Sequence, residues 1–151
     1  MHTSRSFYLL LIGSLFFSAP LLAQAEYDWD PDESHGILLL LSEQYADVGD
    51  VTAEVARYNL QNYGQKQLKL SRYWMPYLSP VPVVYISSFS DLPDVMNYYW
   101  KIDMDRPNFM QMGIIKKVLP VSKTNFNSIV LSESMNGYIE FFEEYYLPFK
   151  K

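Results

Sequence analysis

The sequence predicts a single α+β domain, and three observations carry that expectation. Gly36 to Leu41 (GILLLL) is an apolar run without polar alternation, and Val83 to Ser88 (VVYISS) is β-branched and aromatic. Between and after them, apolar residues recur at helical spacing. Short strands interleaved with amphipathic helices are the pattern of a layered helix-and-sheet domain. At 151 residues the chain has room for one domain of ordinary size with a substantial core.

The elements follow in order. Gly36 to Leu41 lacks alternation, so both faces are expected to be buried, as in a central strand. Asp50 to Tyr63 reads as a helix, with Asp50 as N-cap and with Val51, Val55 and Tyr58 at i, i+4, i+7. Gly64 fits the left-handed position that ends a helix. Leu68 to Tyr77 partly alternates and reads as a strand, joined to Val83–Ser88 as a hairpin across Leu78 to Pro82. Ser90 or Asp91 caps a second helix, with Pro93 in its first turn and an apolar stripe of Val95, Tyr98 or Tyr99, and Ile102. Pro107 stops it, and Phe109 to Met112 fits one further turn. Val118 to Ser122 is a strand whose Pro120 favours an edge or a bulge. Ile129 to Leu131 reads as a short apolar link, and Ser134 to Tyr146 as a last helix ended by Pro148. The order β-α-β-β-α-β is that of a ferredoxin-like split sandwich, an antiparallel sheet with helices on one face, here extended by a C-terminal helix.

The N-terminus reads as a processing signal. Arg5 supplies a positive start, Phe7 to Phe17 an apolar stretch too short to be a convincing membrane span, and Ala23-Gln24-Ala25 a cleavage site. Residues 1–25 are then a signal peptide, residues 26–35 an acidic N-terminal arm and residues 36–151 the single α/β domain. The expected location is periplasmic or secreted, with no transmembrane span after cleavage. Zero cysteine excludes a disulfide framework, thiolate metal sites and a lipidated cysteine. A net charge of −5 argues against nucleic acid as a partner, because phosphate binding needs a basic field. Neither a Walker-type nor a dinucleotide-type glycine loop occurs, and no cofactor is expected.

Candidate chemistry is sparse. Asp28, Asp30 and Asp32 imitate the start of a calcium loop, but loop positions six and twelve fall on Glu33 and Leu39, which cannot do the required work. Glu140, Glu143 and Glu144 lie at i, i+3, i+4, the spacing of a metal or acid–base cluster and equally of a solvent-facing helix stripe. His35 is the only histidine after residue 25, and no nucleophile-elbow motif accompanies it. Aromatics are the stronger signal, at 17% of the chain with 13 Tyr. Arg72, Tyr73 and Trp74 form an aromatic–basic cluster on a strand. Tyr98, Tyr99 and Trp100 are consecutive and span about 200° of helix surface, so they cannot all face one core. Tyr145 and Tyr146 raise the same point. These eight residues are the candidate interaction surface.

The segment Val84 to Ile102 (VYISSFSDLPDVMNYYWKI) resembles the C-terminal α/β module of SprE/PorW-type tetratricopeptide proteins of Bacteroidetes type IX secretion and gliding. The residues that carry the resemblance are Phe89, Met96, Tyr98 and Tyr99, followed by Val121-Ser122, Asn125-Phe126, and Tyr138, Phe141, Phe142 and Tyr146. Upstream, Tyr58-Asn59 and Tyr63 fit. The tetratricopeptide repeats and the lipid-anchor cysteine of that family are absent. The resemblance implies a non-catalytic role in binding a protein partner within a cell-envelope or secretion complex. The same strand–Phe–helix unit is also similar to half of a SPOR domain, with Ser87-Ser88 where that family has a glycine. That likeness implies a peptidoglycan-glycan ligand laid on the sheet. A small periplasmic hydrolase using His35 or the glutamates is the remaining alternative.

Overall fold

The computed structural model describes residues 27–42 and 47–149; the expected signal peptide lies outside them. Its elements are β1 (His35–Leu41), α1 (Val48–Tyr63), β2 (Lys69–Tyr73), β3 (Val83–Phe89), α2 (Leu92–Asp105), α3 (Asn108–Gln111), β4 (Ile115–Ser122), α4 (Lys123–Ser132) and α5 (Tyr138–Tyr145). The strands form one sheet in the order β2-β3-β1-β4, with every neighbouring pair antiparallel. The fold is α+β and fits the expected ferredoxin-like split sandwich with a C-terminal helix, except that α4 covers the second sheet face, which the expectation of helices on one face leaves bare.

β1 is central and pairs on both sides, which is why its apolar run has no alternation: all seven residues are buried. Pro120 sits on the edge strand β4, where a missing N–H costs no ladder bond. The Pro120 carbonyl accepts a hydrogen bond from the Tyr138 hydroxyl of α5 at 2.7 Å. That edge is thereby partly closed.

Register assigns the two sheet faces. Leu38 pairs with Tyr85, and Ile37 with Ile86, so Tyr85 and Ile86 point to opposite faces. Ser88 adopts φ 81 and is left out of the pairing between His35–Phe89 and Gly36–Ser87. This bulge swings Phe89 onto the Ile86 face, where its ring meets Tyr98 of α2 at 5.2 Å. Tyr58 and Tyr63 of α1 pack beside Tyr98 on the same side. On the opposite face, Tyr85 stacks flat against Phe126 of α4, at 4.3 Å and 5°. Tyr85 also lies over Gly36, where any Cβ would collide with its ring.

Several boundaries differ from expectation for identifiable reasons. The α1 cap is Asp47, whose carboxylate accepts from Gly49 and Asp50, so Asp50 lies inside the first turn. Gly64 stays right-handed and opens a 3₁₀ turn; the left-handed residue is Gln67. Asp91 caps α2 through the Asp94 N–H, as expected, and Pro93 lies in the first turn. β2 ends at Tyr73, and the connection to β3 is longer than a tight hairpin. The expected link at Ile129–Leu131 belongs instead to α4, capped by Ser122, whose hydroxyl accepts from Asn125 N–H. Left-handed Glu133 and Gly137 then separate α4 from α5 and delay the last helix from Ser134 to Tyr138.

Candidate interaction surface

Burial sorts the expected aromatic surface into two groups. Tyr98 is fully buried, and its hydroxyl donates to Asn59 Oδ1 at 2.7 Å, tying α2 to α1. Tyr146 is also buried, packed near His35 and Trp29 with ring centroids at 5.9 and 5.4 Å. Burial pushes the pKa of both phenols up. These two residues are therefore core, a correction to the expected surface: each meets rings contributed by other elements, which helical spacing cannot reveal. Tyr99 and Trp100 are half-buried. Tyr99 meets Phe142 of α5, and Trp100 donates its indole N–H to the Phe149 carbonyl at 3.0 Å.

Arg72, Tyr73, Trp74 and Tyr145 are exposed. Tyr145 forms a small patch with Trp29 of the N-terminal arm, at 5.3 Å, and each is over a third exposed. The larger candidate lies at the end of β2. The Tyr73 ring contacts Phe126 at 5.3 Å and Tyr85 at 6.0 Å, extending the Tyr85–Phe126 stack to the sheet edge. Trp74 follows and is 64% exposed. α4, which supplies Phe126, carries Val130 one turn later and Leu131 beside it, at 38% and 84% exposed. The β2–β3 connection stands close to the end of α4: burial, and then the nearby Glu133 carboxylate, raise the Tyr77 pKa. In sequence, Ile129–Leu131 has the look of a short link, which hides Val130 and Leu131 as helix-surface residues. The signal present was Ser122 followed by Phe126 and Ile129 at helical spacing.

A shallow groove of about 410 Å³ runs along the outer side of α2, walled by Pro93, Met96, Trp100, Met104 and Phe149. Trp100 thus contributes here through its flank, with its N–H already engaged.

The residues considered for chemistry do not converge. His35 is 2% exposed, and its Nδ1 donates to the Glu33 carbonyl at 2.8 Å. Its buried Nε2 has no hydrogen-bond partner among the described residues. Burial lowers the His35 pKa, opposed by the Glu33 contact. Glu140, Glu143 and Glu144 are all exposed on α5. Among the described residues, no three His, Asp or Glu side chains are grouped to hold a metal ion. In the arm, the Asp28 backbone is clasped by the Asn125 carboxamide, which accepts from its N–H at 2.9 Å and donates to its carbonyl at 2.8 Å. Tyr27 packs edge-on against Tyr138. The arm is acidic outside and anchored by aromatic contacts.

Comparison with known protein families, curated proteins and solved structures gives no match. Fold and surface together define the class: an α+β split-sandwich protein with an aromatic, aliphatic-rimmed patch at one sheet edge. No helix among the described residues is long and apolar enough to cross a membrane.

Proposed function

We propose that this chain is an exported, non-catalytic interaction module that binds a protein partner in a cell-envelope or secretion complex. The observation that supports this most is the Tyr73–Trp74 patch. Trp74, 64% exposed, follows Tyr73, whose ring sits edge-on to the stacked Tyr85–Phe126 pair, and α4, which supplies Phe126, also exposes Leu131. Exposed aromatics on a fixed scaffold lose little entropy on binding and are the residues that dominate protein interfaces. A glycan laid on the sheet has less support, because α4 occupies the Tyr85 face and α1 and α2 the other.

Affinity purification from crosslinked envelopes tests the reading. The native chain should recover a discrete protein, and Trp74→Ala should reduce that recovery at least about tenfold, the effect of losing one interface anchor. Recovery of no specific protein, or equal recovery by Trp74→Ala, would overturn it.

A further inference from the structure

We propose that the open edge of β2 accepts an extended partner segment as a fifth, antiparallel strand, with apolar and acidic side chains in a defined order. This rests on the protein-binding reading and names the partner's chemistry.

The two sheet edges are treated differently. β4 is blunted by Pro120 and by the Tyr138 hydroxyl on the Pro120 carbonyl. The outer side of β2 pairs with no strand among the described residues, so its backbone N–H and C=O groups face outward in a row. Edges left in this state are templates for strand addition, in which backbone bonds give affinity and alternate side chains give specificity.

The surroundings of β2 specify what the added strand carries. Leu70 and Arg72 point to the face of α1, while Lys69 and Tyr73 point to the face of α4. Residues directly opposite each other on antiparallel strands share a face. The residue facing Leu70 would thus enter a groove of about 200 Å³ between α1 and β2, room for one large side chain. Ala56, Leu60 and Leu68 give this groove apolar walls, and Asn59 and Tyr63 also line it. Both of the latter carry a buried polar atom without a hydrogen-bond partner among the described residues. On the other face, the residue opposite Tyr73 would meet the exposed aromatic patch.

Charge fixes the remaining positions. Lys69 and Arg72 are exposed, and the ion pairs of the described residues do not include them. They stand as basic positions on a chain whose net charge is −5. Acidic residues opposite them complete the pattern: read along the partner, aromatic or aliphatic, acidic, any, aliphatic, acidic. A second copy of this chain fits poorly, because pairing two β2 strands would gather four basic side chains on one seam.

The probe is a synthetic peptide with the core Phe-Glu-Thr-Leu-Glu, with Phe-Lys-Thr-Leu-Lys as control, added to the purified chain. Hydrogen exchange should slow in Lys69–Tyr73, and a paired Lys69→Glu/Arg72→Glu variant with unchanged Tm should bind at least about tenfold more weakly. Affinity should also fall as salt rises, as it does for exposed charge pairs. No protection of β2, or equal binding of the lysine peptide or by the charge-reversed variant, would overturn strand addition. The outcome is separable from the broader reading. If a partner is recovered through Trp74 but the charge-reversed variant recovers it equally, the module binds protein by another geometry.

Discussion

Removing one buried hydroxyl offers a sharp test of the α1–α2 connection. Tyr98 Oη donates to Asn59 Oδ1 at 2.7 Å with both residues buried, and Asn59 Nδ2 has no partner among the described residues. In Tyr98→Phe the ring contacts with Tyr58, Tyr63 and Phe89 remain, so no large cavity opens. What changes is that the whole Asn59 carboxamide is left unpaired. The lost hydrogen bond and the stranded acceptor together cost about 1–3 kcal/mol. Replacing both groups by apolar ones of similar shape, in Tyr98→Phe/Asn59→Leu, removes the stranded amide and should recover much of that loss. Urea unfolding measures it: the midpoint should fall for the single variant with an unchanged m-value, and rise again for the double. A single-variant change below about 0.5 kcal/mol, the range of an ordinary surface substitution, would refute the buried-link reasoning. So would a double variant that loses the sum of both single effects.

Three further outcomes follow. Ser88→Gly should stabilise the protein by about 0.5–1 kcal/mol, because Ser88 holds φ 81 in a region that glycine adopts without steric cost; a loss of stability by thermal melting would contradict the bulge assignment. His35 is buried neutral with its pKa lowered, so the unfolded chain takes up the proton first. Its contribution is therefore intact above the unfolded value of about 6.5 and is lost as pH falls below it. Tm against pH should show this acid-side decline, reduced in His35→Gln; an identical slope in the variant would count against it. Tyr63 and Tyr85 are pushed up to about 12, chiefly by burial, and Tyr98, Tyr138 and Tyr146 are also raised. Tyrosine stabilisation is then complete below about pH 10 and lost above it. Phenolate absorbance should accordingly rise in two stages, the second coinciding with loss of far-UV circular dichroism; a single early rise would contradict the burial pattern.

The sheet was legible because β1 and β3 announce themselves locally: one carries the unbroken apolar run Gly36–Leu41, the other is rich in β-branched and aromatic residues. Asp91, Pro93 and the Val95–Ile102 stripe likewise placed α2. α4 was hidden because Thr124, Asn125, Asn127 and Ser128 favour turns and caps over helix interiors, and only Phe126 and Ile129 mark its buried side. The candidate surface was half legible. Trp74 and Tyr73 stand at a strand end with few neighbours and stay exposed. Tyr98 and Tyr146 looked similar in sequence, but their neighbours come from α1, β1 and the N-terminal arm, far away along the chain. The β2 edge could be recognised only once β3 was known to take its inner side.

Site-specific photocrosslinking in intact envelopes tests the central claim most directly. A photoreactive phenylalanine analogue would replace Trp74, Arg72, Tyr145 or Met104 in turn. The account predicts one discrete protein crosslinked from positions 74 and 72, and little from 145 or from 104 on the α2 groove. Crosslinks confined to position 104 or 145, or none from position 74, would contradict it.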